Sequence, residues 1–381
     1  MPVTISESER EGLLTIDLRA LVENYRWLRA HLQGGGECSA VVKADAYGLG
    51  VARVAPALFA AGCRTFFVAT QPEGEALRNL LPAEAIIYVL TGVRPGCEAS
   101  CARAGLIPVL VTTAQIQHWC DQTLGMGGDE SLAAPAALKV DSGMTRLGMG
   151  AKEFAGLIQQ PALLRRANLQ LILTHLACAD EAGHAQNSRQ LTAFSEMVDR
   201  LRQVCPGVRA SLANSAGICL GEAFHFDLVR PGSALYGVNP TPTQPNPMRP
   251  VVNLRLPVLQ LRQVIEDSAV GYGATQTAVA GSWLAVVRGG YADGLLRAQS
   301  GRGRGVAIAG TDRIPVPMLG RVSMDTTVFD VSALNGRQRE QLGLIEVLGP
   351  TFTVDTMGAA AGTIGYEILT SLGHRYYRQY V

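Results

Sequence analysis

The 381-residue sequence predicts an α/β fold, a (β/α)8 TIM-type barrel followed by a mainly-β domain. Three observations carry that expectation. Eight short β-rich runs alternate with helical patterns over the first two-thirds of the chain, which is the signature of repeated βα units and a parallel sheet. The stretch NPTPTQPNPMRP at 239–250 then places five prolines where neither helix nor central strand can continue, because proline fixes φ and lacks an N–H. Beyond it, apolar strand-like runs alternate with Gly-rich turns and almost no helical periodicity. An open doubly wound sheet is the competing arrangement for the first part.

Residues 1–11 form an N-terminal segment expected to pack on the β-domain. The barrel is expected over 12–240. It begins with an amphipathic helix capped by Asp17 that carries Leu18, Leu21, Val22, Tyr25 and Leu28 on one face. The strand runs fall at 40–43, 65–69, 86–91, 107–112, 137–140, 171–174, 210–213 and 228–230. Among the helices between them, the one after Asn187 repeats Leu191, Phe194, Met197, Val198 and Leu201 at helical spacing. A Pro-rich linker is expected at 241–250 and the β-domain at 251–381, with strands in VVNLRLPVLQLRQVI, WLAVV, VPMLG, TTVFDV and LIEVLG.

With 33 basic and 32 acidic side chains the net charge is +1, which gives no electrostatic reason for a nucleic-acid partner. No apolar run approaches the ~18 residues of a membrane span, and MPVTISESEREG lacks the basic and apolar parts of a signal peptide, so a cytoplasmic protein is expected. The eight cysteines are scattered. Their closest pair, Cys97 and Cys101, has no second pair or nearby histidine, so reduced thiols and no metal are expected.

Lys43 ends the first strand run, in SAVVKADAYGLG. Functional groups of such barrels project from the C-terminal ends of strands, and a partly desolvated lysine there forms Schiff bases, although position alone suits a solvated lysine as well. Together with KVDSGMTRLG, THLACADE, ANSAG, VRPGSALYG, VGYGAT, GGYADG, GRVSMD and GTIGYE, in that order, the chain resembles the alanine racemase family from end to end.

The resemblance implies a pyridoxal 5'-phosphate enzyme that interconverts L- and D-alanine. Lys43 would carry the cofactor covalently, and Tyr47, Ser215, Gly232, Ser233 and Tyr366 would hold its phosphate. Arg230 would face the pyridine nitrogen. Arginine neither accepts a hydrogen bond nor loses its proton, so that nitrogen would stay unprotonated, which favours reprotonation of the α-carbon over transamination. Racemisation needs a base on each face of the α-carbon. Lys43 would serve one and Tyr272 the other, with His175 and Arg230 helping a phenol whose free pKa is about 10 to ionise. Arg146 and the backbone of Met324 would bind the substrate carboxylate, Tyr291 would line the entry, and Lys139 matches a lysine that is carbamylated in many members.

The family also implies a homodimer with shared active sites, each barrel mouth completed by Tyr272, Tyr291 and Met324 of the partner. The product would supply cell-wall peptidoglycan, or the reaction would serve alanine catabolism. Three positions depart from the commonest pattern: Leu49 and Ser211 stand where histidine is frequent, and Ser323 where cysteine is. A broad-specificity or serine racemase is the alternative. A fold-related basic amino-acid decarboxylase or a non-catalytic pyridoxal-phosphate-binding protein fits less well, since the latter lacks a β-domain.

Overall fold

The computed structural model describes residues 11–32 and 34–381. The packing expected for the N-terminal segment therefore lies outside the described residues except at Glu11, whose carboxylate pairs with Arg288 at 2.5 Å. The chain forms two compact units. One is Val22–Leu235 with Asn239–Met248; the other is Tyr236–Val238 and Arg249–Val381 with the described residues up to Leu21.

In the first unit, seven parallel strands follow one another in sequence order: Ala40–Val41, Thr65–Val68, Ile86–Val89, Leu106–Leu110, Ala136–Lys139, Leu169–Leu173 and Arg209–Ser211. The strands Thr65–Val68 and Ala136–Lys139 are buried along their whole length, as strands covered on both faces must be. The eighth run, Leu228–Val229, pairs in parallel with Glu37–Cys38. Arg230 N–H donates to Ala213 O and Val41 N–H to Pro231 O, each at 2.9 Å, so this segment joins the last strand to the first. That sequential, closing order is the barrel's and not that of a doubly wound sheet.

The helix Leu18–Ala30 starts where Asp17 Oδ1 accepts the N–H groups of Arg19 and Ala20, both at 2.9 Å. The helix Ala185–Arg202 buries Phe194, Met197, Val198 and Leu201. All eight cysteines are free thiols. Among the described residues no helix is long and apolar enough to cross a membrane, and no His/Cys/Asp/Glu group is arranged to hold a metal ion.

The second unit is organised on the long strand Val252–Gln263, which pairs antiparallel with Leu13–Ile16, Trp283–Arg288 and Leu342–Leu348. Leu13–Ile16 also pairs in parallel with Tyr377–Tyr380. The barrel was expected from residue 12, yet LLTI buries Leu14 and Ile16 in the sheet of the other unit, beside strands that only the fold brings near. The proline-rich stretch divides too, 239–248 packing with the first unit and 249–250 with the second. The β-rich region also contains three short helices, Gly336–Glu340, Val354–Ala361 and Gly365–Ser371, and Tyr366 lies on the last.

Candidate active site

The chemistry-bearing residues of the first unit stand where its strands end. Lys43 follows Ala40–Val41, Lys139 ends its strand, His175 follows Leu169–Leu173, Ser211 ends Arg209–Ser211, and Arg230 follows Leu228–Val229.

After Lys43 the chain makes a turn in which Ala44, Asp45, Ala46 and Tyr47 have φ of 53°, 53°, 55° and 57°. Left-handed backbone costs a non-glycine residue roughly 1–2 kcal/mol, so the surroundings must hold it. Ala44 N–H donates to Glu73 Oε1 at 2.9 Å, Ala46 N–H to Val42 O at 2.9 Å, and Val51 N–H to Asp45 Oδ1 at 2.7 Å. The turn carries the buried Tyr47 onto Gly232, where a Cβ would lie 2.4 Å from the tyrosine hydroxyl.

Gly232 belongs to a donor cradle. Its N–H and that of Ala234 both donate to the buried Ser215 Oγ, at 3.0 and 3.2 Å, and Ser233 Oγ lies 3.4 Å from the same oxygen. Asn214 Oδ1 accepts Gly217 N–H at 2.9 Å and fixes the turn that presents Ser215. N–H and hydroxyl groups converging on one oxygen are the donor set a phosphate needs, and this cradle fits one.

Arg230 is 4% exposed. Its Nη1 donates to Ser211 Oγ, its Nη2 donates to Thr174 O at 2.5 Å, and its guanidinium lies 6.0 Å from the Phe67 ring centre. Among the described residues no carboxylate pairs with it. Burial draws its pKa down to about 10, so it stays charged at neutral pH.

Three more cations share this end of the barrel. Burial, then Arg230, Arg146 and Lys43, bring Lys139 down to about 8, against a raising effect of Asp141. Lys43 is lowered by burial and by Arg146, with Glu73 opposing. His175 is driven to about 3 by burial and then by the same four cations, which leaves it neutral in ordinary buffers. Asp141 is the smallest of the effects on Lys139, and its Oδ1 accepts the N–H groups of Gly143, Met144 and Thr145 at 2.9, 2.9 and 3.1 Å. The arrangement can hold a dianion and a carboxylate beside a lysine whose proton affinity is lowered.

The structure thus gathers Lys43, Tyr47, Lys139, Arg146, His175, Ser215, Arg230, Gly232 and Ser233 in the first unit, while Tyr272, Tyr291, Met324 and Tyr366 belong to the second. Tyr272 is 70% exposed on a turn flanked by Gly271 and Gly273, both with positive φ. Tyr291 and Met324 are exposed on neighbouring loops, with Tyr291 N–H donating to Ser323 O at 2.9 Å and Ala292 N–H to Met324 O at 3.1 Å. Two contributors escaped the sequence reading. Ser211 was noted only as a departure, but its hydroxyl bridges Arg230 and Leu228 O. Glu73 supports the Lys43 turn, and only the capping spacing Thr70-x-x-Glu73 could have signalled it.

Comparison with known proteins shows the family. The alanine racemase N-terminal domain family matches residues 16–240 and the C-terminal domain family residues 251–380. The chain is 47% identical to "Alanine racemase, catabolic" of Mesorhizobium japonicum, covering 99% of this chain and 95% of that protein. It is 46% identical to the alanine racemase of Rhodospirillum rubrum, covering 98% and 97%. The crystal structure of alanine racemase from Bartonella henselae with covalently bound pyridoxal phosphate superposes with a TM-score of 0.88 at 41% identity, covering 97% and 99%. That of Bacillus anthracis with bound L-Ala-P gives 0.82 at 26% identity, covering 99% and 96%. Matched over both domains and nearly its whole length, the chain belongs to the alanine racemase family of pyridoxal-phosphate-dependent isomerases.

Proposed function

We propose that the protein interconverts L- and D-alanine with pyridoxal phosphate carried on Lys43, using Lys43 and Tyr272 of a partner subunit as the two bases. The observation that carries the reading is the strand-end lysine of lowered proton affinity between the donor cradle and the cation cluster. The cofactor bound covalently in the Bartonella henselae relative and the L-Ala-P bound in the Bacillus anthracis one support it.

When bound, pyridoxal phosphate supplies the electron-withdrawing ring that acidifies the substrate Cα–H. Tyr47, Ser215, Gly232, Ser233 and Tyr366 would hold its phosphate. Arg230, fixed by Ser211 and Thr174 O, would face the ring nitrogen with N–H groups and keep a proton off it. Lys43 takes or returns the proton at Cα on one face and Tyr272 on the other, acting on D- and L-alanine respectively. Neutral His175 hydrogen-bonds the phenol, and the charge of Arg230 eases its ionisation. Arg146 and the Met324 N–H bind the substrate carboxylate, and Tyr291 lines the entry. With a pKa of about 8, Lys139 has a neutral amine fraction whose nitrogen can attack CO2 and lose a proton, giving a carbamate that orients Arg146.

Exposure of Tyr272, Tyr291 and Met324 on the second unit suits residues donated to another subunit of a homodimer. The free thiols suit a reducing cytoplasm. Whether the product serves peptidoglycan or the reaction serves catabolism is decided by whether a deletion strain requires D-alanine.

The deciding measurement is turnover of purified protein on L- and D-alanine, with borohydride used to fix the cofactor for peptide mapping. The label is expected on Lys43, and Lys43→Ala should abolish activity in both directions because it removes anchor and base together. A label on Lys139 or Lys152 instead, or turnover of serine with alanine inert, would overturn the assignment.

A further inference from the structure

The loops bearing Tyr291 and Met324 are joined by backbone bonds and are further bridged by one guanidinium, that of Arg375. They leave the paired strands Trp283–Arg288 and Thr326–Asp330, where Arg288 faces Thr326. Backbone bonds continue the pairing outward: Gly289 N–H to Asp325 O at 2.9 Å, then Tyr291 and Ala292 N–H to the carbonyls of Ser323 and Met324. Gly290 admits no side chain between them, since a Cβ would lie 2.2 and 2.4 Å from those two carbonyl oxygens. The Met324 carbonyl is therefore occupied, and among the described residues its N–H donates to nothing.

Asp293, fully buried, closes the Tyr291 turn by accepting Gly290 N–H at 3.1 Å. Its two oxygens take Arg375 Nε at 2.6 Å and Nη2 at 2.8 Å, while Arg375 Nη1 reaches Asp325 at 2.8 Å. Arg375 is itself fixed, because Gly373 N–H donates to Asp293 O at 3.0 Å and Gly294 would strike Ser371 O at 2.2 Å if it carried a Cβ.

We infer that Arg375 is a positioning residue for substrate binding. Through Asp293 it sets the loop of Tyr291, and through Asp325 that of Met324, so it fixes the spacing between the entry tyrosine and the N–H offered to the substrate carboxylate. The planar fork of arginine suits this, since it binds one carboxylate with two parallel bonds and keeps a third donor for the other, which lysine cannot do. The inference rests on the roles proposed above for Tyr291 and Met324.

The test compares wild-type holoenzyme with Arg375→Lys and Arg375→Ala. The measurements are kcat and KM for L-alanine, the inhibition constant of propionate as a carboxylate probe, the cofactor absorbance and the melting temperature. Displacement of a binding group by a fraction of an ångström predicts a KM and a propionate constant raised together by about tenfold, with cofactor absorbance unchanged and kcat much less affected. Millimolar methylguanidinium should lower the KM of Arg375→Ala again, an effect that a merely structural arginine would not show. If the alanine variant does not fold, Arg375→Lys carries the test. Unchanged KM and propionate constants in the folded variants would overturn the inference, as would losses of kcat alone. A wild-type protein that fails to turn over alanine sinks the racemase reading and this inference together; an active wild type with indifferent variants sinks this inference alone.

Discussion

Arg230 and His175 show how single residues acquire their properties from neighbours. A buried guanidinium without a carboxylate would be costly in isolation. Here a hydroxyl and a carbonyl satisfy it, and its charge is left to act on whatever occupies the barrel mouth. His175 feels that charge, and the result is a testable dependence on pH. Its folded pKa of about 3 lies below the ordinary 6.5, so between those values the unfolded chain binds a proton that the folded chain does not. Stability contributed by the neutral imidazole is then complete above pH 6.5 and declines as pH falls toward 3, with a slope of at most about 1.4 kcal/mol per pH unit from this group. Urea unfolding midpoints of wild type should drop more steeply from pH 7 to pH 4 than those of His175→Gln. Parallel curves would mean that the imidazole is already solvated in the folded protein.

At the scale of elements, the left-handed turn and the Gly232 cradle act as one part. Gly232→Ala would put a methyl group 2.4 Å from the Tyr47 hydroxyl, and Tyr47 can yield only by disturbing a turn of four left-handed residues. Overpacking of this kind typically costs about 1–3 kcal/mol, so the dissociation constant for pyridoxal phosphate should rise by roughly 5- to 150-fold in a spectrophotometric titration. An unchanged constant would show that Tyr47 moves aside freely and does not hold phosphate. Neither half of this part was fully legible in the sequence. The barrel strands could be read because strands buried on both faces are continuous apolar runs. The turn could not, since ADAY contains no glycine and its φ values are imposed by Glu73, Val42 and Val51. The short helices Val354–Ala361 and Gly365–Ser371 were hidden too, because VDTMGAAA and GYEILTS are too brief and glycine-bearing for their period to show. Residues such as Lys43, Arg230 and Ser215 can be singled out because their neighbours in sequence form motifs. Ser211, Asp293 and Arg375 matter through partners distant in the chain, which one sequence does not reveal.

For the whole molecule, the placement of Lys43 in one unit and Tyr272 in the other makes assembly measurable. Lys43→Ala and Tyr272→Ala, each inactive, should regain activity when mixed and allowed to exchange, because a C2 heterodimer has one site with both bases and one with neither. With half the dimers mixed, recovery should approach roughly a quarter of wild type. Exchange seen by mass spectrometry without recovered activity would place both bases in one chain. The sheet of the second unit carries a different consequence, one of timing. Leu13–Ile16 is made well before its partners Val252–Gln263 and Tyr377–Tyr380, and Leu18 N–H waits for the carbonyl of Val381. At ~5–20 residues per second, that strand stays unpaired for tens of seconds while the barrel strands are made and can close behind it. A circular permutant that joins Val381 to the N-terminus and opens the chain at 243, in the proline-rich stretch, would synthesise these partners together. It should yield less aggregated protein than the natural order during synthesis, measured as the soluble fraction at matched expression, and equal fractions would overturn the timing argument.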